Sequence, residues 1–114
     1  MVNSLNCIED DFLTPDHIGG GKSYISSTPI LLKGAQYRCC IYAYGGVHFS
    51  FFHVDGRNSD SEEWKILVFS ESDSLRDVLF TSDKDYCQVR IFWNKSATEQ
   101  YARIAYWLRP DNSI

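Results

Sequence analysis

Short apolar runs separated by polar or glycine-rich stretches set the rhythm of this chain. Residues 24–32 favour strand but contain Pro29, which cannot donate to a ladder, so this run is predicted at a sheet edge. Residues 36–44 and 47–54 are rich in aromatic and β-branched side chains and flank Gly45-Gly46. A two-residue glycine loop between such runs predicts a tight hairpin. In that register Tyr42 faces Phe49, Cys40 faces Phe51 and Arg38 faces His53, while Cys39 faces Phe52 on the other side. Both faces are largely apolar, which implies cover on both sides or one face kept for a ligand or partner.

A polar loop over 55–63 leads to a predicted strand over 64–69. Leu75, Val78 and Leu79 then fall at i, i+3 and i+4, predicting a short helix after Ser72. Residues 86–93 alternate cleanly, with Cys87, Val89, Ile91 and Trp93 on the inward side. Near the end, Ser96 and Glu99 match a capping box, and Tyr101, Ile104, Ala105 and Leu108 share a helical face. Arg103 and Arg109 suit the last turns and Pro110 is a stop. Ala102, Ile104, Tyr106 and Leu108 also alternate as a strand would, but the cap and stop favour a helix over about 97–108. The predicted class is α+β: an antiparallel sheet of about five strands, a β-meander over 24–69, with the C-terminal helix packed on one face. Residues 1–23 are expected to be irregular, and 1–114 to form a single domain.

Composition supports a real core. Of 114 residues 44% are hydrophobic and 23% charged, which excludes a disordered chain. No apolar run is long enough to span a membrane as a helix. The first residues carry neither a basic start nor a long apolar stretch, so a cytoplasmic location is expected, with reduced cysteines. The net charge of −4 is unevenly spread: residues 58–86 hold eight acids and three bases, net −5. That balance repels phosphate backbones and favours a basic partner, so neither DNA nor RNA is expected as a direct ligand.

The candidate chemistry is sparse. Gly19 to Ser23 resembles a phosphate loop only superficially, because Asp16 stands where the first glycine is required and no helix is predicted to follow. His48 and His53, five residues apart, project to opposite faces of a strand, and the four cysteines lack zinc spacing. Calcium-loop spacing fails as well, with Arg57 or Glu63 at required positions. No metal or cofactor is therefore expected, and no catalytic residue is assigned. The sharpest enzymatic alternative is a Cys40/His53 pair placed diagonally across the hairpin. Its aromatic surroundings would raise the thiol pKa rather than activate it.

These features point to a small acidic intracellular protein that binds a basic protein. The class is that of an inhibitor, as in toxin immunity or phage anti-defence, and it is non-enzymatic. The expected partner surface runs along Asp60, Glu62, Glu63, Trp64, Glu71, Asp73 and Asp77. A small-ligand domain using an apolar hairpin face is the other alternative.

Overall fold

A computed structural model of the chain describes residues 8–13, 21–44, 49–71, 75–95 and 103–111. Those residues form eight strands: β1 (Ile8–Leu13), β2 (Gly21–Ile25), β3 (Gln36–Tyr44), β4 (Phe49–Arg57), β5 (Lys65–Glu71), β6 (Leu75–Thr81), β7 (Gln88–Lys95) and β8 (Arg103–Pro110). They make two four-stranded sheets, ordered β1-β8-β3-β6 and β2-β7-β4-β5, with every pairing antiparallel. The pairs β1/β8, β2/β7, β3/β6 and β4/β5 are nested, as if one long hairpin had been rolled around a core. This is the jelly-roll arrangement. No helix among the described residues is long and apolar enough to cross a membrane.

The two sheets face each other through alternate residues of their central strands. From the first sheet come Tyr37, Cys39 and Ile41 of β3 with Tyr106 and Leu108 of β8; from the second come Phe52 and Val54 of β4 with Val89, Ile91 and Trp93 of β7. Trp93 meets Tyr106 across the gap, with ring centroids 5.9 Å apart. The buried tyrosines satisfy their hydroxyls, as burial requires. Tyr37 Oη accepts from the Leu32 amide at 2.7 Å, Tyr106 bonds Tyr24, and Tyr86 donates to Asp83 Oδ1 at 2.6 Å.

The nesting extends to the connections. Leu31 and Tyr86 exchange backbone bonds at 3.1 and 2.9 Å, and Gly34 and Ala35 pair with Ser82 at 2.8 and 3.0 Å. Gly34 takes φ +82°, a left-handed backbone that glycine adopts without a steric penalty. The corner after β2 is thus tied to the corner after β6.

Several expectations are corrected. The class is not α+β, because no helix occurs among the described residues. Residues 103–110 form β8, lying between β1 and β3, while 97–102 are outside the described residues. The alternation of Tyr106 and Leu108 wins here, since two flanking strands and a core beneath them offer more burial than one amphipathic helix face. Likewise 75–81 is strand β6, with Phe80 buried against Tyr37 and Leu79 turned outward, and not a short helix. The meander fails too. β3 and β4 are consecutive yet lie in different sheets, so Cys40 does not face Phe51; it pairs with Asp77 and Trp107. Residues 45–48, including the glycine pair, are outside the described residues. Among the described strands, the long polar loop between β4 and β5 makes the one connection of consecutive strands within a sheet. Inside the segment expected to be irregular, Ile8–Leu13 forms β1.

Two predictions concern the Tyr86 corner. A Cβ built on Gly56 would lie 2.7 Å from the Tyr86 ring, so Gly56→Ala should cost about 1–3 kcal/mol by denaturant unfolding. Asp83 is held at a pKa of about 2 by hydrogen bonds from Lys65 and Tyr86. A depressed folded pKa contributes stability above the ordinary carboxylate value, and that stability is lost as pH falls. The wild type should therefore exceed Asp83→Asn in stability at pH 6, by less than about 1 kcal/mol for so exposed a pair, with the gap closing between pH 4 and 2.

Candidate functional site: the outer face of the second sheet

Strand β4 sends Phe52, Val54 and Gly56 inward, and therefore Phe51, His53, Asp55 and Arg57 outward. Register sets their neighbours. His53 lies between Phe69 of β5 and Phe92 of β7; Asp55 lies between Ile66 and Arg90; Arg57 lies beside Gln88. The outer face thus carries an aromatic row, a charged row and a polar row in succession.

The rings of the aromatic row are nearly parallel. Phe51 and His53 stack at 5.9 Å and 7°, His53 and Phe92 at 4.9 Å and 16°, and Phe51 and Phe69 at 5.4 Å and 24°. Stacking of this kind adds about 0.5–1.5 kcal/mol per pair beyond burial. The strip is only partly covered: Phe69 is 50% exposed, and Ile66 and Ile25 on the same face are 53% and 70% exposed.

The charged row centres on Asp55, which is fully buried although it sits on the outer side of its sheet. Its Oδ2 accepts from Arg90 Nε at 2.8 Å with Arg90 Nη2 at 2.6 Å, and its Oδ1 lies 2.6 Å from His53 Nδ1. A carboxylate can only accept, so His53 Nδ1 carries the proton. Arg90 also lies over Trp64 at 4.9 Å, and Arg57 lies over the same ring at 4.2 Å. Arg57 Nε donates to Gln88 Oε1 at 2.8 Å, and Gln88 Nε2 donates to Asp60 Oδ1 at 3.1 Å. Both guanidiniums on this face are therefore engaged with groups of their own chain.

The acidic loop folds down onto this network. Asn58 anchors it, donating to the Asp85 carbonyl at 2.8 Å and accepting from the Cys87 amide at 2.9 Å. Glu62 Oε1 closes the turn on the Asn58 amide at 3.1 Å. Asp60, Glu62 and Glu63 are exposed, and Trp64 is half-buried beneath the two arginines.

Of the residues singled out from the sequence, the structure brings together Asp60, Glu62, Glu63 and Trp64. Glu71 is exposed at the far end of β5, roughly 20 Å along a strand of this length. Asp77 belongs to the other sheet, where it pairs with Arg38 at 3.1 Å. Asp73 lies outside the described residues. The acids of the middle segment thus do not form one surface. Sequence reasoning missed Phe51, Asp55, Phe69, Arg90 and Phe92 as a group, although the alternation Phe51, His53, Asp55, Arg57 along one strand was a usable signal.

The Cys40/His53 pair is also ruled out. The two residues lie on the outer sides of opposite sheets, with the core between them. The Cys40 thiol pKa is raised, chiefly by burial and then by Asp77, and burial raises Cys39 as well. His53 is oriented by a carboxylate as a general base would be, but among the described residues no hydroxyl or thiol bonds its Nε2. Among the described residues, no group of three or more His, Cys, Asp or Glu side chains could hold a metal ion. Cys39, Cys40 and Cys87 are free thiols.

No family model matches the chain, and no curated protein matches it.

The buried Asp55 yields a prediction. Removing one partner of such a pair is costly, so Asp55→Ala should destabilise the fold by about 3 kcal/mol. Arg90→Met should cost much less in the Asp55→Ala background than in the wild type, because the pair has already been broken. A double-mutant cycle by urea unfolding checks both.

Proposed function

We propose that this chain is a small, acidic, non-enzymatic protein-binding module that docks a basic protein on the outer face of the β2-β7-β4-β5 sheet. One observation carries the reading. Among the described residues, three of the four large, exposed hydrophobic residues, Ile25, Ile66 and Phe69, project from that single face, beside the acidic loop.

Aromatic residues and arginine at the centre with charge at the margin is the anatomy that anchors protein interfaces. The central charges are already compensated: Arg90 is held by Asp55, and Arg57 lies 3.6 Å from Asp60. The margin is left acidic through Glu62 and Glu63. A partner with lysines and arginines around an apolar centre complements it, and association would be fast and salt-sensitive. An inhibitor or immunity-type role, covering the basic working surface of its target, fits this chemistry. Engagement of both guanidiniums by their own chain speaks against direct binding of DNA or RNA. A cytoplasmic setting accords with the free thiols of Cys39, Cys40 and Cys87.

The test compares capture from a lysate of the host by three immobilised proteins: wild type, Ile66→Asp/Phe69→Asp, and Asp60→Lys/Glu62→Lys/Glu63→Lys. A basic protein held by the wild type should be lost from the first variant. It should associate at least tenfold more slowly with the second, with a flatter salt dependence. Because Asp60 and Glu62 also bond Gln88 and the Asn58 amide, and Ile66 lies across from Asp55, urea unfolding is measured on both variants, and both should remain folded under the capture conditions. Equal capture by all three proteins, or capture of acidic proteins only, overturns the reading.

A further inference from the structure

A two-sheet fold has four edge strands, each presenting unpaired backbone donors and acceptors. Here they are β1 and β6 in one sheet and β2 and β5 in the other. Three of the four carry a feature that discourages further pairing. β1 shifts register between Asp10 and Leu13 and holds Glu9, Asp10 and Asp11. β2 has only five residues, begins with glycine and includes Lys22. β5 begins with Lys65 and carries an extra residue where its register on β4 shifts at Val54/Asp55.

β6 has no register shift, glycine or lysine, and its charges are one base and one acid, Arg76 and Asp77. It pairs with β3 one residue to one, without a shift, from Tyr42↔Leu75 to Gln36↔Thr81. Its sequence, LRDVLFT, contains no glycine, proline or lysine. Among the described residues it pairs with β3 alone. Asp77, a charge that would otherwise guard the edge, is tied sideways to Arg38. Leu79 stands 50% exposed on the outer side, the remaining large exposed hydrophobic residue among the described residues and the one that the docking face does not use.

We infer that β6 pairs with β6 of a second copy of this chain, antiparallel about a two-fold axis, joining the two β1-β8-β3-β6 sheets into one continuous sheet. The strand is suited to its own copy. With the axis at Leu79, Leu79 meets Leu79 of the second copy, Val78 lies opposite Phe80, and Asp77 lies opposite Thr81. Each pair falls on one side of the sheet, as antiparallel pairing demands. No like charges oppose each other, whereas an axis at Asp77 would set two carboxylates face to face. Backbone bonds supply the affinity and the leucine pair fixes the register. The docking face on the other sheet stays open in this dimer.

The experiment is sedimentation equilibrium of the full chain over a concentration series, with Leu79→Lys, Ile25→Lys and Phe69→Lys alongside the wild type. The mass should rise from the 13.1 kDa monomer toward twice that value. Leu79→Lys should raise the dissociation constant at least tenfold, while Ile25→Lys and Phe69→Lys leave it within twofold. Because Leu79 is half-exposed, its lysine variant should keep the wild-type melting temperature at concentrations where both proteins are monomeric. Thr81→Asp, which sets a second carboxylate opposite Asp77 across the proposed pairing, should weaken the dimer in the same direction. A monomer at every concentration overturns the inference. So does a dimer indifferent to Leu79→Lys and Thr81→Asp, and so does one broken by Phe69→Lys, which would place the second copy on the aromatic strip.

Discussion

Apart from β4 and β5, consecutive strands among the described residues lie on opposite sides of one core, and the rest of the molecule follows from that constraint. β3 delivers Tyr37, Cys39 and Ile41 to the core from one sheet, and β4 delivers Phe52 and Val54 to it from the other. Strands that leave their neighbour's sheet must find partners far along the chain, and the nested pairs from β4/β5 out to β1/β8 are that solution. The corners obey the same logic, since Leu31 bonds Tyr86 across more than fifty residues of chain. Such non-local pairing is entropically costly to begin and is expected to fold slowly.

The same constraint creates the functional face. Once Phe52 and Val54 point inward, Phe51, His53, Asp55 and Arg57 have to point out. An outward row that includes a carboxylate would ordinarily be wet. Here Asp55 is fully buried, covered by the rings and guanidiniums of its neighbours and satisfied by Arg90 and His53. The network fixes where the side chains stand, so the apolar strip beside it is pre-arranged. It also consumes the local positive charge, so the face meets solvent as an apolar centre with an acidic margin.

The individual strands were more legible in the sequence than their arrangement. Val89, Ile91 and Trp93 read as inward from strict alternation, and all three are fully buried. The runs that became β3, β4 and β5 stood out by their aromatic and β-branched content. Which sheet each run joins was not legible, because pairing is decided by residues distant in sequence and a Gly-Gly pair looks the same whether its flanking strands pair or diverge. The last segment carried both a helical stripe and an alternating one. A strand with β1 on one side and β3 on the other buries Tyr106 and Leu108 completely, and no local capping signal outweighs that. The acidic loop was recognisable from composition, and its coming down onto Gln88 and Arg57 was not, since that contact depends on β7 lying beside β4.

Both the docking face and the free edge depend on β3 and β4 belonging to different sheets, and cross-strand proton contacts measured by NMR test that most directly. Backbone contacts should join β3 to β8 and to β6, with Cys40 opposite Trp107 and Asp77, and join β4 to β7, with His53 opposite Phe92. Contacts between β3 and β4 in hairpin register, Cys40 with Phe51 and Arg38 with His53, would contradict the account.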